Sequence, residues 1–150
     1  MIQFQDVRIG NLLLCNDRVC RVTSVSSGSV ETDASQGVEG PGRNGFEFRY
    51  LPLSAEWMSR FSGDEKGYII ISELEKESTS SDLIVLSTVE CYLHNDGFLR
   101  VCAYEYERYP DGSADMPDDV ITLGYEHIRY VHQLQNLYYL LTGKELEMEK

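Results

Sequence analysis

Several short segments of this chain alternate apolar and polar residues with a period of two or run continuously apolar between turn residues, the marks of strands. Leu12-Leu13-Leu14-Cys15 and Val19-Cys20-Arg21-Val22-Thr23-Ser24-Val25 flank a polar Asn16-Asp17 pair, which predicts a β-hairpin over residues 7–25. Residues 26–45 hold Ser, Gly, Asp and Asn with few large apolar groups. They predict a loop with one short strand near Val30. Phe46–Tyr50 then alternates again.

The alternation breaks at Pro52-Leu53-Ser54-Ala55-Glu56-Trp57-Met58, which predicts a short helix. Ser54 suits the N-cap, Glu56 the positive helix end, and Leu53 can staple against Met58. Gly63 ends it, and Trp57 is expected to anchor it to the core. Strands are predicted at 67–71, at 83–93 after a Ser/Thr/Glu-rich linker over 75–82, and at 98–107. Near its turn the last of these is apolar on both faces, with Phe98 and Cys102 on one side and Leu99 and Val101 on the other. If Asp96-Gly97 is the two-residue hairpin turn, Cys91 stands opposite Cys102. Residues 105–119 are acidic and broken by Pro110, Gly112 and Pro117, so they read as a solvated loop. Ile121–Gly124 predicts one more short strand.

The second helical segment is the longest, from Arg129 to Thr142, with Gly143 at the position of a left-handed cap. At ~100° per residue, Tyr130, Val131, Leu134, Leu137, Tyr138 and Leu141 share one half of the wheel, which is expected to pack on a sheet. His132, Asn136, Tyr139 and Leu140 fall together on the other half. An exposed Leu and Tyr beside a His and an Asn make a candidate interaction face. The plainer alternative is that the 146–150 tail or the N-terminal part of the chain covers Tyr139 and Leu140.

Composition narrows the chemistry. The 150 residues and 42% hydrophobic content suffice for a core, and no long apolar span or basic-then-apolar leader appears. The expected setting is cytoplasmic, without a membrane partner. The formal net charge of −12 opposes the phosphate backbone and disfavours direct nucleic-acid binding. It leaves room for a basic protein partner or for imitation of DNA, beside the plain reading of a solubilising surface. Cys15, Cys20, Cys91 and Cys102 lack the tight spacing of a zinc knuckle, so neither metal nor cofactor is expected. Gly40-Pro41-Gly42-Arg43-Asn44-Gly45 has the letters of a phosphate loop. A strand-like segment follows it instead of a helix, and the match reads as accidental. His127 and His132 are five residues apart, ~140° around a helix, which does not make a zinc-protease pair.

Three stretches together resemble a family of small uncharacterised proteins from phages, prophages and mobile elements of gut Bacteroidetes. They are Arg8-Ile9-Gly10-Asn11, Pro52-Leu53-Ser54-Ala55-Glu56-Trp57, and Ile128–Tyr138 continuing through Leu141-Thr142-Gly143-Lys144-Glu145-Leu146. The last is long and distinctive. The resemblance implies a phage-like genomic setting and carries no catalytic residue.

The chain is therefore expected to be an α+β protein. Its N-terminal half is β-rich and suits a small SH3-like barrel or another small β fold. An antiparallel meander and a C-terminal helix packed on a sheet follow. It forms one domain over 1–150, or two lobes over 1–64 and 65–150. The leading functional expectation is a non-catalytic accessory protein that binds another protein, either itself or a host or phage partner. The alternatives are a DNA mimic directed at a host defence protein, and a small hydrolase or nuclease with an unrecognised carboxylate or histidine site.

Overall fold

The computed structural model describes residues 6–26, 29–35, 47–77, 84–115, 117 and 120–148. In chain order its elements are β1 (Leu12–Cys15), β2 (Arg18–Ser26), β3 (Ser29–Thr32), β4 (Phe48–Arg49), α1 (Ala55–Ser62), β5 (Ile69–Glu77), β6 (Ile84–Leu93), β7 (Leu99–Arg108), β8 (Val120–Tyr125) and α2 (Val131–Thr142). The fold is α+β, with two antiparallel four-stranded sheets. Two compact units result, and they are not successive halves of the chain. One holds Met1–Leu53 and Ile128–Leu146, the other Ser54–His127 and Glu147–Lys150. The division thus falls at residues 53 and 128, away from residue 64, and the closing helix belongs with the first strands.

The first unit carries the curled, half-barrel sheet in the order β3-β2-β1-β4. Asn16 and Asp17 both take left-handed backbone angles (φ 48° and 64°), as a two-residue hairpin turn with strand-matching twist requires. Asn16 also holds β4: its N–H donates to Glu47 O at 3.1 Å, and its Oδ1 accepts the Glu47 N–H at 3.0 Å. Val7, Leu13, Cys15, Cys20, Val22 and Val30 form the buried cluster, with Phe48 and Tyr50 packed against it. The Gly40–Gly45 stretch lies outside the described residues.

In the second unit the sheet order is β5-β6-β7-β8. Ser54 caps α1 by accepting the Trp57 N–H at 3.4 Å, and Gly63 closes it in the left-handed conformation (φ 72°). The helix lies against β5 and β6, with Trp57, Met58 and Phe61 buried. Gly67 lets the chain pass this close, since a Cβ there would stand 2.9 Å from Met58 Cβ. β5 runs on to Glu77, consuming part of the expected linker. From Ser72 to Glu77 it is held by unbroken pairing with β6 and by a 3.0 Å ion pair between Arg108 and Glu75.

The β6–β7 turn corrects the expected register. The Gly97 N–H donates to His94 O and the His94 N–H to Phe98 O, so Asn95 and Asp96 are the central turn residues. Gly97 (φ 81°) is the left-handed residue that follows them, a longer loop than the two-residue one. Every pair therefore slips by one: Cys91 meets Val101 and Cys102 meets Glu90. A one-residue slip sends side chains to opposite faces, so Cys91 and Cys102 do not face each other. Diamide treatment of the folded protein should leave the buried Cys91 and Cys102 thiols unlinked to each other. An intramolecular Cys91–Cys102 disulfide in the mass spectrum would contradict this register.

After β7 the acidic loop folds back on itself. The Tyr109 N–H donates to Ser113 O at 2.8 Å, and Tyr109 Oη donates to Asp115 Oδ2 at 2.8 Å. No helix among the described residues is long and apolar enough to cross a membrane.

Candidate interaction surface

The face expected on α2 divides into inside and outside. Val131, His132, Leu134 and Gln135 are buried, whereas Leu141 is 49% exposed and Leu137 and Tyr138 are half-buried. The buried arc is thus turned roughly 80° from the apolar half of the wheel, toward polar residues. The cause is a set of hydrogen bonds to the Arg8–Leu12 turn. Gln135 Oε1 accepts the Leu12 N–H at 2.8 Å, and its Nε2 donates to Gly10 O at 3.4 Å. Asn136 Oδ1 accepts from Arg8 Nε and Asn11 Nδ2, while its Nδ2 donates to Asp6 O.

Arg8 completes this clasp. Its guanidinium donates to both Glu145 oxygens, at 2.6 and 3.0 Å, and to Gln135 O, and it lies 4.2 Å from the Tyr139 ring centre. Gly10 (φ 91°) leaves room for the Glu145 carboxylate, since a Cβ there would stand 3.1 Å from Oε2. The Arg8–Asn11 turn and the closing helix, two of the stretches on which the family resemblance rests, are therefore hydrogen-bonded to one another.

Of the four candidate residues, Asn136 is committed to this clasp and His132 is only 1% exposed. The imidazole stacks on Tyr50 (ring centres 4.4 Å apart) and beside Tyr130 (5.9 Å), and neither nitrogen has a hydrogen-bond partner among the described residues. Burial pulls its pKa down to about 4, partly opposed by Asp6. Tyr139 and Leu140 remain at the surface, Leu140 at 81% exposure. With Leu141 they are consecutive, ~100° apart around the helix, and point in three directions instead of forming a stripe.

Among the described residues a second exposed apolar surface lies in the second unit, on a sheet face that sequence reasoning did not single out. Register places Val85, Ser87, Val89 and Cys91 of β6 on one side, with Glu107, Glu105, Ala103 and Val101 of β7 and Ile121 and Leu123 of β8. At one end of this side Ile69, Cys91, Leu99 and Val101 are buried, beside α1. Toward the other end the helix has stopped. There a groove of about 920 Å³ opens over Val85, Val89, Ala103 and Ile121, with Glu105, Glu107 and Asp115 along it. Ile121 and Leu123 are 66% and 55% exposed. Ser87 Oγ donates to Glu105 Oε1 at 2.6 Å, steadying one wall.

The reverse side needs no such cover. Leu86 and Thr88 are buried there beside Tyr106 and Tyr104, their register partners. Burial and the neighbouring Glu90 push the Tyr104 phenol up to about 12. The missed signal was available in principle: β8 is apolar at consecutive positions, with an acidic loop before it.

The other chemical candidates are dispersed. His94 is exposed in its turn with Nδ1 3.1 Å from Asp96, and His127 is exposed beside the Tyr125 ring. Neither lines the groove. Burial raises the Cys20 and Cys91 thiols to about 11 and about 12, which keeps them protonated and unreactive at neutral pH. Among the described residues, no three His, Cys, Asp or Glu side chains gather as a metal ion would need. Comparison with protein-family models, curated proteins and solved structures finds no match to this chain.

Proposed function

We propose that this chain is a non-catalytic protein-binding module, and that it grips its partner through the open side of the β5–β8 sheet. The observation that carries this reading is the groove itself, an apolar floor of Val85, Val89, Ala103 and Ile121 edged by Glu105, Glu107 and Asp115. Exposed apolar surface rimmed by charge is what a binding site needs: the floor supplies affinity, and the rim selects partners of opposite sign. A protein with a basic, apolar contact patch fits. The proposed setting is the cytoplasm, as an accessory protein of a phage or mobile element.

The DNA-mimic alternative draws less support, because a mimic needs its carboxylates along one surface. Glu75 shares a side of the sheet with Tyr106, while Glu105 and Glu107 stand on the other. A hydrolase or nuclease draws less support, since among the described residues no three His, Cys, Asp or Glu side chains gather as a catalytic metal ion would need and no histidine lines the groove.

The test compares captures from host lysate by the wild-type chain and by a Glu105→Lys/Glu107→Lys chain. Both substituted residues are exposed, so the fold should survive. Captured partners should be lost from the charge-reversed chain and thinned by ~0.5 M salt, which shortens electrostatic reach to a few ångströms. An identical set of proteins on both chains would sink the reading.

A further inference from the structure

β8 is an open edge with an unguarded sequence. Among the described residues it pairs with β7 alone, and Val120 through Gly124 are all exposed. An edge strand presents unpaired N–H and C=O groups, which proteins ordinarily blunt with Lys, Pro or a bulge. Val120-Ile121-Thr122-Leu123-Gly124-Tyr125 has neither charge nor proline, and its register with β7 is unbroken. The opposite edge is defended: β5 has a register shift after Ile70 and the charged run Glu73, Glu75, Lys76 and Glu77. Charge stands only at the ends of β8 in the sequence, with Asp118-Asp119 before it and Glu126 after it.

We infer that β8 accepts an added strand from a partner protein, apolar in its middle and cationic at both ends. The inference rests on the protein-binding reading above and specifies how the partner docks. An added strand would satisfy the edge N–H and C=O groups, and every second side chain would join Ile121 and Leu123 on the open side. Flanking Lys or Arg residues would meet Glu105, Glu107 and Asp115 along the groove at one end and the exposed Glu126 just past the other, whichever direction the strand runs. A second copy of this chain fits poorly. Antiparallel pairing of β8 with itself would bring Glu126 of each strand toward the acidic Glu105, Glu107 and Asp115 end of the other, and apposed like charges are destabilising. Each copy also carries a net charge of −12.

The test uses the full chain and two synthetic peptides, each a run of alternating valine and threonine. Paired lysines flank one and paired glutamates the other. The lysine-flanked peptide should bind and slow amide exchange across Val120–Tyr125, and should bind at least about tenfold more weakly to an Ile121→Lys chain. A Leu74→Lys chain, altered on the opposite edge, should bind it as the wild type does. The glutamate-flanked peptide should bind at least about tenfold more weakly.

Binding of the lysine-flanked peptide without protection of the β8 amides would overturn strand addition and leave the groove reading standing. Absence of binding, or equal binding of both peptides, would overturn the cationic strand. A dimer of the chain alone, with β8 amides protected as concentration rises, would overturn the partner strand in favour of a second copy.

Discussion

Gln135→Leu should destabilise the protein by about 3 kcal/mol, although it places a more apolar residue at a buried helix position. The Gln135 side chain is fully buried, and its Oε1 is the acceptor for the Leu12 N–H at 2.8 Å, at the start of β1. Leucine fills similar space but accepts nothing, so the Leu12 N–H is stranded in the interior. A buried donor without a partner costs about 1–3 kcal/mol, and the weaker bond to Gly10 O is lost as well. Urea titration checks this: the midpoint should fall while the slope stays constant, because the unfolded surface hardly changes. A midpoint unmoved by Gln135→Leu would show that the clasp does not hold α2 to the Arg8–Leu12 turn.

Acid should weaken the wild-type fold through His132, by about 3 kcal/mol between pH 6.5 and about 4. The unfolded imidazole takes up its proton near 6.5, whereas the buried ring stays neutral down to about 4. Between those values the unfolded state binds more protons. Stability contributed by the neutral ring is therefore fully present above 6.5 and is lost as pH falls. His132→Phe keeps a ring stacked on Tyr50 beside Tyr130 and removes both nitrogens that lack a partner among the described residues. It should be at least as stable at pH 7, and much less sensitive to pH over the same window. Subtracting the two urea series isolates the imidazole. The carboxyl groups of Asp96 and Asp111, held low mainly by hydrogen bonds, weaken the fold only below the ordinary carboxylate range. Parallel curves for the two proteins would show that His132 is not held neutral by the fold.

Both predictions concern side chains on the polar half of the α2 wheel, and both place them in the fold's interior. His132 and Asn136 were drawn to attention because a helix with an apolar stripe should turn its other side outward. That inference fails where polar side chains are matched to backbone groups. Gln135 and Asn136 bury because the Arg8–Asn11 turn supplies their partners, and those partners lie more than a hundred residues away in sequence. Stacking on Tyr50, with Tyr130 alongside, holds His132 inside without a hydrogen bond to any described residue.

Features enforced by neighbouring residues were legible in the sequence. Asn16-Asp17 specifies a left-handed two-residue turn, Ser54 and Gly63 bound α1, and Gly143 (φ 70°) stops α2. In each, the responsible atoms lie within a few residues, so local chemistry decides. The α+β class follows from the same local signals added along the chain.

Register, burial and grouping were decided only in three dimensions. Asp96-Gly97 suits a two-residue turn, but hydrogen bonds closing across His94 and Phe98 make it longer and slip every β6–β7 pair. The assignment of α2 to the first sheet depends on bonds from Arg8, Asn11 and Leu12, which no periodicity records. The open groove exists because α1 ends before it covers the whole β5–β8 sheet, a matter of helix length against strand length. Sequence alone determined where the chain turns and caps, since those free energies are local. The tertiary structure decided which polar groups are buried and which apolar face stays open, since each depends on partners distant along the chain.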